Sequence, residues 1–334
     1  MADDVYSAAS GQGIYAGRFA PPVGTLSVTT PKNYQMFQRD PNSAVITVSG
    51  TYTGTPSAIE ASFDGGAFQT VTAAPTGGTF TGTITASTGQ GDLVVRFANS
   101  HATNVSVTTV GVGDIYIAIG DSNHSGRATQ SVVQATSNNG LISTYYAKDN
   151  TWKPHQEGTA TGVGTWDSDG QGSYFGALAT LIMNNANVPV AFIPGARGST
   201  TLDQWSVTEN GANPYWVYGF ALNIAQKASS KRKAVLCVLG TNPSSLDTAG
   251  ATAAYNKIVD AYKASLDVET VLYYAVGASA ANNAAVADVV TNNANAVQGP
   301  NFVGAWSGIH YSNAAEINVA AGRAWTALQA LYYS

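Results

Sequence analysis

Charge is scarce in this chain. Of its 334 residues, 15 are Lys or Arg and 20 are Asp or Glu, so 10% are charged, where about a quarter is usual for a soluble domain. The formal net charge of −5 argues against nucleic acid as the main partner, because phosphate binding relies on Lys and Arg. Cysteine is scarcer still. With only one, a disulfide framework is excluded, and so are zinc sites built on Cys spacing. No apolar run approaches the roughly 18–20 residues of a membrane-spanning helix, so no membrane partner is expected. Met1 is followed by Ala-Asp-Asp-Val-Tyr. That start has neither a basic segment nor an apolar core, and no secretory signal is expected from it.

Ser, Thr, Asn, Gly and Ala fill the places that charges leave. The hydrophobic share is ordinary at 44%, and the length allows two domains with cores of their own. A polar but weakly ionic composition suits an extracellular or virion-associated protein, which is the expected location.

The chain changes character along its length. Residues 1–24 are small and Gly-rich from Ser7 to Gly17, followed by Ala20-Pro21-Pro22, and read as an extended arm. Gly11-Gln12-Gly13 is no dinucleotide motif, because no strand precedes it. Residues 25–110 read as all-β. Leu93, Val95 and Phe97 alternate with Asp92, Val94 and Arg96, the two-residue period of a half-buried strand. Val45, Ile46 and Val48 mark another strand, and Thr79, Thr81, Thr83 and Thr85 a third. Asp64-Gly65-Gly66 has the residues of a hairpin turn. Several short strands with turns between them predict a small antiparallel sandwich.

Residues 111–334 alternate strand and helix. The expected strands are Asp114–Gly120, Val188–Pro194, Ala234–Gly240, Thr270–Gly277 and Phe302–Trp306. The expected helices are a first one carrying Tyr174, Phe175, Leu178, Leu181 and Ile182, then Trp216–Ala228, Ala249–Leu266, Ala284–Val297 and Ala314–Leu331. This alternation predicts a central parallel sheet with helices on both faces. Ser125–Gly172 fits no such unit and is expected to form long loops over the sheet edge.

Ligands of open α/β sheets sit outside the carboxyl ends of the strands. Four groups of residues follow the expected strands: Gly120-Asp121-Ser122-Asn123, Pro194-Gly195-Ala196-Arg197-Gly198, Gly240-Thr241-Asn242 and Ser307-Gly308-Ile309-His310. They offer a hydroxyl, a glycine N–H, a carboxamide and an imidazole, a sufficient set for acyl transfer.

Taken in order, Gly120-Asp121-Ser122, Gly198, Gly240-Thr241-Asn242 and His310 resemble the four blocks of the SGNH, or GDSL-type, hydrolase superfamily. Val112-Gly113-Asp114-Ile115-Tyr116 before Gly-Asp-Ser-Asn is similar to the entry strand of carbohydrate O-acetylesterases of the sialate O-acetylesterase and acetylxylan esterase kind. Tyr174-Phe175, Val188-Pro189-Val190 and Leu202-Asp203-Gln204-Trp205 match their second block. The resemblance spans about Val112 to the C-terminus. It implies a flavodoxin-like three-layer α/β/α domain, here preceded by the β-sandwich. It also implies Ser122 as nucleophile, His310 as base, and an oxyanion hole made of the Ser122 and Gly198 N–H groups and the Asn242 side chain. No metal or organic cofactor is implied. The substrate implied is an acetylated carbohydrate, and a homo-oligomer is left open.

The sequence departs from the pattern at one place. The family carries Asp three residues before the histidine, where this chain has Ser307. A Ser-His dyad oriented by a main-chain carbonyl is the expected arrangement, since the imidazole needs only an acceptor for its Nδ1 proton. The other residues have plainer readings. His124 is expected to be structural or a pocket wall, His101 and His155 unremarkable, Asp121 a tie within its own loop, Asp203 structural and Cys237 a buried small hydrophobe. Of Trp152, Trp166, Trp205, Trp216 and Trp306, at most two are expected to touch a sugar. Two rival functions remain: a general short-chain carboxylesterase or lipase, and a non-catalytic glycan-binding or virion structural protein whose site has decayed.

Overall fold

The computed structural model describes residues 24–129, 142–157, 172–213, 216–242, 244–275 and 279–334. The expected arm, apart from Gly24, lies outside the described residues, as does Trp166.

The N-terminal half is built from β1 (Leu26–Thr30), β2 (Met36–Gln38), β3 (Ser43–Tyr52), β4 (Ala58–Phe63), β5 (Gln69–Ala73), β6 (Thr79–Ser87), β7 (Gly89–Phe97) and the long β8 (Ser100–Gly120). The strands β1, β3 and β6 form one antiparallel sheet. A second sheet orders β5, β4, β7 and the first part of β8, all antiparallel. The inner faces meet in a core of Ile46, Val48, Phe80 and Ile84 against Ile59, Leu93, Val95 and Phe97, all buried. The threonines of β6 point outward between Phe80, Ile84 and Ala86, as alternation requires. Asp64 and Gly65 both have positive φ, 49° and 71°, the backbone of a tight β-hairpin turn.

β8 joins the two halves without a break. Up to Gly113 it pairs with β7 and with the short parallel β2. From Asp114 on it pairs with strands of the second half. Asp114 itself is fully buried. It accepts from Arg39 Nε and Nη2, both at 3.0 Å, from Gln38 Nε2 at 2.9 Å and from the Tyr333 hydroxyl at 2.6 Å. One carboxylate thus ties together the sandwich, the central strand and the C-terminus. A charge buried this deeply is tolerable only because its acceptor sites are occupied by matched donors.

The second half continues with β9 (Ser143–Tyr146), β10 (Thr151–Pro154), α1 (Phe175–Ala186), β11 (Val190–Pro194), α2 (Leu202–Trp205), α3 (Val217–Ala228), β12 (Lys231–Val238), α4 (Thr248–Ser265), β13 (Asp267–Ala275), α5 (Ala280–Asn292), β14 (Ala296–Asn301) and α6 (Ala314–Tyr332). Its parallel strands run in the order β9-β11-β8-β12-β13-β14, and β10 adds antiparallel at the β9 edge. From β11 to β14 this is the flavodoxin-like order 2-1-3-4-5. Residues of β8 alternate between the two faces. Ile115, Ile117 and Ile119 pack with residues of α2 to α5, whereas Tyr116 and Ala118 pack with α1 and α6. The result is three layers. α6 shows why its sequence is helical: Ile317, Ala320, Ala321, Ala324 and Leu328 fall on one buried stripe, and Asn313 caps its start.

Three expectations need correction. The last strand is β14, not Phe302–Trp306, which forms turns. The fifth helix stops at Asn292, well short of Val297, because Asn292 to Asn295 interrupts it and the chain turns into an edge strand. Pro300 is tolerated on such an edge, where a missing N–H costs no ladder bond. Ser125–Gly172 is not loop throughout: Ser143–Tyr146 and Thr151–Pro154 pair as a hairpin that extends the sheet. Tyr and Trp in these two segments fit a pleated surface, and Asn150 turns between them at φ 49°.

Candidate active site

The crevice lies between the ends of β8 and β12, where the strand order reverses and ligands of such sheets bind. At its floor stands Gly120, with φ 142°. A Cβ there would meet the Val238 carbonyl oxygen at 2.0 Å, so only glycine lets the two strand ends approach. Ser122 follows in a turn, not at a helix N-cap. Its carbonyl accepts the Ser125 and Arg127 N–H groups, both at 3.2 Å, and the Ser125 hydroxyl at 3.1 Å.

Four hydrogen bonds bring the loops together. The Arg197 N–H donates to the Gly120 carbonyl at 3.0 Å, which sets the Gly198 turn beside Ser122. The Thr241 N–H donates to Asp121 Oδ2 at 3.0 Å, spanning the crevice. Asn242 Nδ2 donates to the Thr200 carbonyl at 2.9 Å, linking the third loop to the second. Asn123 Nδ2 donates to the Ile309 carbonyl at 3.1 Å, linking the Ser122 loop to the residue before His310. The Thr129 N–H adds a bond to the Tyr311 carbonyl at 2.8 Å, just beyond His310. All four predicted blocks therefore meet at one end of the sheet. Ser122 and His310 stand on loops bound to each other, but they share no hydrogen bond. Unliganded sites often have such a gap, which substrate closes.

The Gly198 turn is locked from inside. Thr200 Oγ1 donates to the Arg197 carbonyl at 2.7 Å and accepts from Trp205 Nε1 at 2.9 Å. Thr201 and Gln204 form a capping box on the short α2. Trp205 is fully buried and is thus a latch rather than a sugar platform. Trp152 is buried as well, and among the described tryptophans only Trp216, 43% accessible, is exposed. Asp203 is exposed on α2, and Cys237 is buried among apolar residues.

Electrostatics separate the histidines. His124 is fully buried among Tyr174, Phe175 and Tyr274. Its Nδ1–H donates to the Ile119 carbonyl at 2.8 Å, so Nε2 accepts from the Tyr174 hydroxyl at 2.6 Å. Burial pushes it down to about 3; it stays neutral and holds the first turn after β8. His155 is also structural. Its Nε2 meets Glu157 Oε1 at 2.8 Å, and Glu157 receives the Ser173 N–H and hydroxyl, both at 2.6 Å, and the Gly176 N–H at 3.2 Å. A carboxylate at the start of α1 suits the helix dipole. Burial raises the Glu157 carboxyl, but His155 and Ser173 outweigh that and hold it below the usual range. His310 is half-buried. Burial first, and the nearby Arg127 charge second, lower it from the usual histidine value, which keeps the imidazole neutral and able to take a proton at pH 7. Asp121 is pushed up to about 6 by burial, against the Thr241 and Asn123 bonds that pull it down.

Three residues before His310, where the family carries an aspartate, stands Ser307. Ser307 turns to Glu316 instead, its hydroxyl donating to Oε1 at 2.7 Å. Among the described residues no carboxylate pairs with His310. The residue reading placed Asn123 in the first block without a role and missed Arg127, Thr200 and Glu316. Only Glu316 had a local signal, the Asn313-Ala-Ala-Glu316 spacing of a capping motif.

The sequence model of carbohydrate esterases described as sialic acid-specific acetylesterases matches residues 112–314. The chain belongs to this family. It is accordingly a carboxylic ester hydrolase. No curated protein sequence matches the esterase chain at a significant level. Among solved structures, it is similar to a carbohydrate acetylesterase from Xanthomonas citri, with 19% identity and a TM-score of 0.59 over 92% of this chain and 76% of that one. It is also similar to a protein of Arabidopsis thaliana, with 17% identity and a TM-score of 0.50 over 66% of this chain and 99% of that one. At such identities the likeness concerns the fold.

Proposed function

We propose that this esterase removes O-acetyl groups from carbohydrate through an acetyl-enzyme formed on Ser122. The observation that carries the reading is the set of hydrogen bonds drawing the Ser122, Gly198, Asn242 and His310 loops to the switch point of the sheet.

Ser122 Oγ attacks the ester carbonyl carbon while His310 takes the hydroxyl proton. The carbonyl oxygen becomes an oxyanion, which the N–H groups of Ser122 and Gly198 and the Asn242 amide receive. Asn242 Nδ2 carries two hydrogens, one of them on the Thr200 carbonyl, so its second can point to the oxyanion. Collapse of the tetrahedral species breaks the bond to the sugar oxygen, which leaves with the proton from His310. Water then attacks the acetyl-enzyme as His310 takes one of its protons; the second tetrahedral species breaks its bond to Ser122 Oγ, which receives that proton back from His310, and acetic acid leaves and ionises to acetate. Preorganised donors act most strongly on the Ser122 side, where residues 121 to 125 are buried.

The test is acetate release from a panel of acetylated polysaccharides by wild type and Ser122→Ala. Wild type is expected to release acetate, and the variant to lose on the order of 10⁶-fold in kcat. Equal inertness of both, with glycan binding retained, would instead make the chain a binding protein. A preference for octanoyl over acetyl p-nitrophenyl ester would make it a general carboxylesterase or lipase.

A further inference from the structure

One carboxylate closes the turn that carries His310. Glu316 stands in the first turn of α6, and its N–H is capped by Asn313 Oδ1 at 3.0 Å. In a capping box a glutamate at this place reaches back to the N–H of the capping residue. Glu316 reaches further. Its Oε1 accepts the Ser307 N–H at 3.0 Å and the Ser307 hydroxyl at 2.7 Å. Its Oε2 accepts the Ser312 N–H at 2.7 Å and the Ser312 hydroxyl at 3.0 Å. Both ends of the segment 307–312 are therefore drawn to the two oxygens of a single side chain, with His310 between them. These are charge-assisted bonds, about twice as strong as neutral ones, and they hold the Glu316 carboxyl below the usual range, the Ser312 N–H foremost.

The turn is also held by the nucleophile loop, through Asn123 on the Ile309 carbonyl and Thr129 on the Tyr311 carbonyl. Trp306 and Tyr311 pack edge to face, their ring centres 5.0 Å apart, and close the base of the turn. Ile309 is 69% accessible, so little apolar packing restrains the outer part of the turn. Its shape depends on these polar ties. Ser307, where the family's aspartate belongs, spends its hydroxyl on Glu316.

We infer that Glu316 is a positioning residue for His310: its carboxylate fixes the 307–312 turn and so sets the imidazole toward Ser122, the task that an aspartate at 307 would otherwise perform. This rests on the proposed roles of Ser122 and His310. Glu316 touches neither substrate nor the reacting atoms in this scheme. It acts through the turn.

The experiment uses the full chain and p-nitrophenyl acetate, with kcat and KM measured separately for wild type, Ser122→Ala, Glu316→Ala, Glu316→Gln and the double variant Ser307→Asp/Glu316→Ala. Thermal melts establish that each is folded. Glu316→Ala is expected to lose on the order of 10²-fold in kcat, the cost of a misplaced catalytic group, while KM stays within about twofold. Glu316→Gln is expected to lose less, because its one remaining acceptor oxygen still serves one end of the turn. It is the variant to read if Glu316→Ala does not fold. Ser307→Asp in the Glu316→Ala background is expected to recover part of the lost kcat. Unchanged kcat in both single variants, or no recovery in the double variant, overturns the inference. Failure of the function reading looks different: wild type is inactive, or Ser122→Ala keeps its activity. The turn itself is then read by amide exchange at Ser307 and Ser312. Faster exchange in Glu316→Ala than in wild type is expected, and equal exchange overturns the clamp.

Discussion

The Ser122 loop and the His310 loop do paired work but are built in opposite ways. Ser122 follows directly on the central strand, and residues 121 to 125 are all buried. Its neighbours are fixed by strand ends, by His124 in an aromatic nest and by Asp121 across the crevice. His310 comes nine residues after the end of β14 (Asn301), in a largely exposed turn whose ties are hydrogen bonds to Glu316, Asn123 and Thr129. The nucleophile is thus held by packing and buried hydrogen bonds, the base mainly by polar contacts at the surface. A packed site resists change in one piece, whereas a polar turn can be retuned by single substitutions.

The largest expected effect tests whether the Ser122 loop shares its oxyanion hole with the loop of Asn242. Asn242→Ala removes a side-chain donor and the tie to Thr200. It should lower kcat on acetyl esters by about 10²–10³-fold, read in steady-state assays alongside an unchanged melting profile. If the rate is unaffected, the oxyanion lies elsewhere.

A smaller effect separates the loops by pH. Arg127, on the nucleophile side, disfavours the protonated form of His310. Arg127→Gln should raise the His310 pKa toward its ordinary value, so the acid limb of kcat/KM moves to higher pH. A pH–rate profile of the two proteins checks this, and a limb that stays in place would mean that Arg127 does not act on the base.

The last effect concerns stability rather than rate and starts from the packed loop. Folding raises Asp121 from 3.8 to about 6, so the folded state binds this proton more tightly than the unfolded state. Burial of the charge therefore costs stability above pH 6, and the cost fades as pH falls through that range toward 4. The difference is worth at most about 3 kcal/mol. Asp121→Asn keeps an acceptor for the Thr241 N–H and removes the charge. Its melting temperature should exceed that of wild type at pH 8 and converge with it near pH 4. A variant less stable at both pH values would show that the charge itself holds the crevice together.

Legibility in the sequence followed the same division. Alternating Leu93, Val95 and Phe97 and the apolar run from Ile115 to Ile119 have a period that backbone geometry enforces, so their strands were readable, as was the β-α alternation. β14 was not, because Gly299 and Pro300 mask a strand that survives only at an edge. The hairpin of β9 and β10 was hidden among glycine-rich neighbours, and its pairing depends on β11 being next to it.

The sequence by itself determined most of the elements, the layer order they imply and the four short blocks whose chemistry suits ester cleavage, because side-chain period and turn residues act locally. Only the tertiary structure decided which side chains hold those blocks. It settled His124 as structural rather than a pocket wall, sent Ser307 to Glu316, and joined Asp121 to Thr241 and Asn123 to Ile309. For the last two the physical reason is that hydrogen bonds between residues 120 and 186 positions apart leave no periodic trace in the chain; they exist only once parallel strands have brought their carboxyl ends to one edge.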